Sequence, residues 1–301
     1  MQRSPSLTEI HLQRGLLSLS VCPDLGGAIT RLAYQGFDLL RPWDGEANVR
    51  RCGCFVLAPF SNRIGGSGFE HEGVHYPLRT ISPDFPLPIH GLAWQRPWSP
   101  VRHDETAMTL KLTHQPTGDQ ALDWPFAFEL EHELQLHEAR IELRLTLRNL
   151  DERSMPAGLG WHPYFARHGV PVVQFSAQSI WLSDVANLPR MRAEIPAQWN
   201  FQHARPLHEP GLDNCFNAWD GKARIQWPQQ DIELLISASE ELDHLVVFTP
   251  SEDKGFFALE PVSHGNNALG MPDSQANGMR VLAPGEMMTA RCSMHLKQKV
   301  A

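Results

Sequence analysis

Phe128-Glu129-Leu130-Glu131-His132-Glu133-Leu134-Gln135-Leu136 is the stretch that sets the fold class. Phe, Leu and one His occupy every second position, and Glu or Gln fills the rest. A period of two places one set on a buried face and the other in water, which is the signature of a half-buried β-strand. Upstream, Met108, Leu110 and Leu112 alternate with Thr109 and Lys111. Downstream, Ile141, Leu143, Leu145 and Leu147 alternate with Glu142, Arg144, Thr146 and Arg148. Short connections join these runs, so they read as an antiparallel meander. Asn149 to Arg153 supplies the turn after the last of them.

The same reading extends outward. Leu16 to Val21, Ala28 to Tyr34, Ile232 to Ala238, His244 to Thr249 and Phe256 to Val262 are all strand-like. Ala283-Pro284-Gly285-Glu286 makes a turn before Met288, Ala290, Cys292, Met294 and Leu296 alternate. Twenty-four prolines and twenty-two glycines interrupt the chain often, and no long helical period, repeat or linker stands out. Many short strands with frequent turns point to an all-β sandwich or barrel, expected as one domain over residues 1–301.

A net charge of -8 and the lack of a basic run argue against nucleic acid or an anionic membrane as the main partner. No apolar run approaches the ~18 residues of a membrane helix. Met1 to His11 is mostly polar and lacks the layout of a signal peptide, so a cytoplasmic location is expected. Five cysteines at irregular spacing do not suggest a disulfide framework. Cys52 and Cys54, one residue apart, are expected on one face of a strand as small buried thiols.

Five segments carry candidate chemistry. In Gly160-Trp161-His162-Pro163-Tyr164-Phe165, Pro163 removes a donor and holds His162 extended, so that the imidazole can give a proton to a neighbour. Trp161 and Tyr164 offer rings suited to an apolar ligand face. A half-buried structural histidine is the alternative. Ala58 to Gly66 sets Asn62 beside Arg63, able to present donors to ligand oxygens or to form a surface salt bridge. Pro88-Ile89-His90-Gly91 precedes Trp94 and Trp98, which can stack on a sugar ring or belong to the core. Gly91 permits close approach of a ligand or of another backbone. Asp213, in Gly211 to Phe216, either caps a turn or accepts hydrogen bonds from ligand hydroxyls. Glu260 ends an otherwise apolar strand, on the face of Phe256 and Ala258, where an unpaired charge is costly.

Taken in order, these segments resemble the aldose 1-epimerase, or galactose mutarotase, family. The resemblance covers most of the chain and rests on Asn62-Arg63-Ile64, His90-Gly91, His162 with Tyr164-Phe165, Asp213 with Phe216, and Glu260-Pro261 with Asn267-Ala268. It implies a large antiparallel β-sandwich with an open cleft on one face. It implies Glu260 as general base and His162 as general acid, with Arg63, His90, Asp213 and Asn62 holding a sugar. It implies no metal and no organic cofactor, and a small-molecule sugar as partner to a monomer or homodimer. Pro163 stands where many members have threonine or asparagine, and Leu92 where many have another glycine. These departures suggest a divergent branch and leave the identity of the sugar open.

Interconverting the anomers of a free aldose needs a proton taken from the C1 hydroxyl and one given to the ring oxygen, by a base and an acid expected on opposite sides of the hemiacetal. A glutamate with a reference pKa of ~4.3 is ionised at neutral pH, while a histidine at ~6.5 must be biased toward its protonated form. Asp213 or Glu260 would supply that bias. Competing readings are glycoside hydrolysis by Asp213 and Glu260, epimerisation of a phosphorylated or otherwise anionic sugar, and sugar binding without chemistry. The anionic reading needs extra cations, for which His71, Arg79, Arg96 and Lys254 are the candidates. A metal site among the fifteen histidines lacks the HExxH spacing or a paired-cysteine set.

Overall fold

The computed structural model describes residues 7–82, 85–208 and 211–298. Most of the polar N-terminal stretch therefore lies outside the described residues. The meander forms as its alternation predicts: strands Ala107–His114, Phe128–His137 and Arg140–Asn149 pair antiparallel, with Leu130 opposite both Leu112 and Leu147. The final alternating run extends this sheet as Met287–Gln298, which pairs with Arg140–Asn149 on one side and Ile232–Ala238 on the other. Among the described residues this sheet has nine strands. The expected turn at Ala283–Glu286 is present, closed by a backbone bond of 3.0 Å with Gly285 at φ 77°.

Among the described residues, a larger sheet of eleven strands lies against it. Its middle runs, in spatial order, Ala28–Tyr34, Cys54–Leu57, Gly160–Ala166, Phe256–Val262, His244–Phe248 and Asp213–Asn217. All the pairings are antiparallel. Only short 3-10 turns stand in for helix among the described residues. The main core draws on both sheets: Val56, Trp161, Phe165, Phe257 and Leu259 from the larger join Leu130, Leu134, Leu143, Leu145 and Met294 from the smaller. Antiparallel sheets packed face to face over interdigitating side chains make this a β-sandwich. No helix of the described residues is long and apolar enough to cross a membrane.

The other face of the larger sheet carries a second apolar cluster, including Phe55, Tyr164, Cys215, Val246, Ala258 and Val262. Strand periodicity then sorts the aromatic segment. Trp161 and Phe165 point into the inter-sheet core, while His162 and Tyr164 point the opposite way. Trp161 is thus not a ligand platform; its indole N–H donates to His132 Nε2 at 3.1 Å, across the sandwich. Trp98 joins the main core, and Trp94 belongs to the second cluster, stacked on Phe55. Cys52 and Cys54 also differ from expectation, for they lie in different clusters. Cys52 ends the 3-10 turn Val49–Arg51, and the strand begins only at Cys54, so strand alternation does not govern the pair. All five cysteines are free and buried.

Candidate active site

Two neighbouring strands build the centre of the site. The register pairing Gly160 with Val262 and Tyr164 with Ala258 sets His162 opposite Glu260 on the face away from the main core. Directly opposed residues have Cβ atoms about 4.5–5.5 Å apart, and here His162 Nε2 lies 3.2 Å from Glu260 Oε1. The glutamate is 2% exposed and the histidine 6%. Phe55 lies against the imidazole on one side and Tyr164 on another. Glu260 Oε2 and His162 Nδ1 have no hydrogen-bond partner among the described residues. Both atoms are buried as well as unpartnered.

Burial shifts both groups toward their neutral forms. It pushes Glu260 well above the usual carboxylate range, with Asp213 adding to the rise and Arg63 opposing it. It pulls His162 down to about 3, and the positive charges of Arg41 and Arg50 pull the same way. Burial thus favours the neutral form of each partner, carboxyl and imidazole. This departs from two expectations: burial opposes the ionisation of Glu260, and acid and base are adjacent rather than on opposite flanks. The adjacency suits the chemistry, because the two oxygens of a hemiacetal that exchange protons are bonded to the same carbon.

Around this pair, two loops lock each other. The His90 backbone N–H donates to Asn62 O at 2.9 Å, and the Asn62 N–H donates to His90 Nδ1 at 3.1 Å. Both residues sit at positive φ, 57° for Asn62 and 63° for His90. With Nδ1 accepting and burial holding its pKa well below the ordinary value, His90 carries its ring proton on Nε2, as a neutral donor. Gly91, at φ 67°, lets this happen: a Cβ there would lie 2.1 Å from Ala58 O, so its close approach serves another backbone. Asn62 Oδ1 accepts from the Arg63 N–H at 2.9 Å, and Arg63 Nη1 reaches Asp213 Oδ2 at 3.4 Å. Arg63 and Asp213 side chains are 21% and 24% exposed, so this ion pair faces solvent while the proton-sharing pair lies within. Asp213 begins a strand, Asp213–Asn217, rather than sitting in a loop.

Several contributors were given no role from sequence. Arg41 lays its guanidinium over the rings of Tyr164 and Phe256, 4.2 and 4.3 Å from their centroids, and donates to the carbonyls of Arg50 and Cys52. His264 accepts from the Ser61 N–H at 3.0 Å and lies 2.8 Å from Gly265 O, which ties the Asn62 loop to the end of the Glu260 strand. Asn267 Oδ1 accepts from the Gly65 N–H at 2.7 Å, so this motif residue acts on the loop. Only the run Ser263 to Asn267, polar after an apolar strand, signalled the last two. Nothing in the sequence signalled Arg41. The described residues contain no group of three or more His, Cys, Asp or Glu that could hold a metal ion.

A β-sandwich of this build, with its buried polar cluster on the outer face of the larger sheet, is of the galactose mutarotase-like class. The chain belongs to the aldose 1-epimerase family, whose model matches residues 8–295. Protein YphB of Escherichia coli (strain K12) is 28% identical over 298 residues, covering 97% of this chain and 99% of its own. The crystal structure of a candidate aldose 1-epimerase from E. coli K12 superposes with a TM-score of 0.89 at 26% identity, covering 97% of this chain and all of that one. A galactose mutarotase-like protein from Clostridium acetobutylicum gives 0.85 at 18% identity, over 97% of this chain and 96% of its own, and supports the fold alone.

Proposed function

We propose that this protein is an aldose 1-epimerase that interconverts the α and β anomers of a free sugar through the Glu260–His162 pair. The observation that carries the reading is the 3.2 Å contact of a carboxyl and an imidazole, both buried, on the face of a family member where Arg63 and Asp213 meet solvent. Burying two ionisable groups together without function is costly.

In the ring-opening half, Glu260 as carboxylate takes the proton of the C1 hydroxyl, the C1–ring-oxygen bond breaks, and His162 as imidazolium protonates the departing oxygen. The pair is left as carboxylic acid and neutral imidazole, the forms that burial favours. Rotation about the C1–C2 bond turns the aldehyde, and closure on the other face returns both protons with roles reversed. The pair holds one proton throughout and titrates as a unit, so the exchange rate should follow a bell-shaped pH profile. Arg63 and Asp213 hold hydroxyls at the solvent side, and His90 Nε2–H donates to the sugar.

Anomer exchange followed by NMR on glucose, galactose and xylose tests this. Glu260→Gln and His162→Asn should each slow exchange by at least about 10²-fold, with sugar still bound. Arg63→Ala should chiefly raise KM. Wild-type exchange rates in Glu260→Gln would refute the assignment of the base. For hydrolysis by Asp213 and Glu260, the discriminating result is aglycone release from an aryl glycoside; none is expected. Non-catalytic binding is disfavoured because it gives the buried pair no task.

A further inference from the structure

The cations that the sequence offered to an anionic sugar are held elsewhere: Arg79 and Arg96 pair with Asp123, Lys254 pairs with Asp253, and His71 bonds to Ser154. Arg63 is the cation that meets Asp213 at the solvent side, and its placement depends on the loop beneath it. Its guanidinium touches Asp213 Oδ2 at 3.4 Å and Asn62 Oδ1 at 3.3 Å, both long for hydrogen bonds. The backbone is held more closely, by the segment that leaves the Glu260 strand. After Val262 the chain runs Ser263-His264-Gly265-Asn266-Asn267 along the Arg63 loop. The Ser61 N–H donates to His264 Nε2 at 3.0 Å, the Asn267 N–H to Arg63 O at 3.0 Å, and the Gly65 N–H to Asn267 Oδ1 at 2.7 Å. Asn267 grips the loop at Arg63 and beyond, and His264 grips it on the near side.

The surroundings of His264 suit that grip. The ring is 1% exposed, and burial pulls it down to about 4, so it is neutral at pH 7. Because Nε2 accepts from Ser61, the ring proton is on Nδ1, which donates to Gly265 O at 2.8 Å. The tautomer is thus fixed from both sides. Gly158 opens the slot for the ring: a Cβ there would lie 2.2 Å from His264 Cδ2 and 2.6 Å from Nε2. The Gly158 N–H donates to Pro59 O at 2.6 Å, in the same loop. The next amide, Asn62 N–H, ends on His90 Nδ1, so two successive N–H groups of the loop are each received by a buried imidazole. His264 is therefore a spacer of set length between the end of the Glu260 strand and the loop that carries Arg63.

We infer that His264 is a positioning residue for sugar binding: through the Ser61 N–H it sets where Arg63 stands relative to Glu260, and it governs affinity without taking part in proton transfer. The inference rests on the epimerase reading above and adds a residue to its binding half.

The test separates binding from turnover, by calorimetric titration of the full chain with glucose, galactose and xylose and by NMR anomer exchange of the same sugars. His264→Leu, confirmed as folded by circular dichroism, should raise KM and Kd by about fivefold or more and leave kcat within about twofold of the wild type. His264→Gln, whose side-chain oxygen reaches the place of Nε2, should bring both back to within about twofold. Added to Arg63→Ala, His264→Leu should change Kd by less than about twofold, because the guanidinium it places is gone. Gly158→Ala displaces the ring without altering it and should give the same rise and the same dependence on Arg63; it stands in if His264→Leu does not fold. An unchanged Kd in His264→Leu, a loss carried by kcat, or an effect fully additive with that of Arg63→Ala overturns the inference. Wild-type protein that binds a sugar without exchanging its anomers overturns the epimerase reading, while the Kd pattern still decides the role of His264. Wild-type protein that binds none of the three sugars overturns both.

Discussion

At the scale of single residues, the site depends on backbone geometry as much as on chemistry. Asn62 and His90 hold each other by a reciprocal pair of bonds, and Gly91 makes room for it. Gly91→Ala would set a methyl against Ala58 O at a backbone angle unfavourable to side chains. It should lower unfolding stability by more than about 1 kcal/mol, read as a fall in the urea midpoint. A midpoint equal to that of the wild type would mean the loop has slack that the geometry denies. The sequence made Glu260 conspicuous because a charge among Phe256, Ala258 and Val262 violates strand patterning. It could not show that burial would push the carboxyl toward its neutral form, since only the assembled sheet creates that burial. Arg41 was silent for a related reason. An arginine after Leu40 reads as an ordinary surface residue until folding lays it against the rings of Tyr164 and Phe256.

At the scale of elements, strand periodicity did most of the predicting. The meander, the last strand and the Phe256–Val262 strand match their alternating or apolar runs closely. The same rule divides Gly160–Ala166 between two environments, with Trp161 toward the core and His162 toward the site. The expectation that Trp161 meets a ligand overlooked this parity. Trp161→Phe should cost about 1–3 kcal/mol of unfolding free energy, because it strips His132 Nε2 of its buried donor. Chemical denaturation measures this, and a variant as stable as the parent would show that the bond contributes nothing. Short strands such as Asp213–Asn217 were missed because a polar start beside a glycine looks like a loop.

At the scale of the whole molecule, the bond between His132 and Trp161 spans the two sheets, so the state of one buried imidazole bears on the entire sandwich. Burial holds His132 down to about 3, against an ordinary value of 6.5. Between those values the unfolded chain binds a proton that the native protein refuses. Stability from this group is therefore complete above pH 6.5 and declines as pH falls through the window, by about 1.4 kcal/mol per pH unit. The melting temperature of His132→Leu, followed from pH 7 to pH 4, should fall less steeply than that of the wild type. Parallel curves would rule this group out as a source of acid sensitivity.

The contact between Glu260 and His162 has a consequence for the bookkeeping of the reaction. A couple that shares a single hydrogen nucleus, and hands it back when the ring recloses, finishes every cycle as it started. Turnover then draws nothing from the buffer and leaves nothing in it. Calorimetry of the exchange in media of unlike ionisation enthalpy should return one and the same heat, and the direction of flow is left entirely to the ratio of anomers outside.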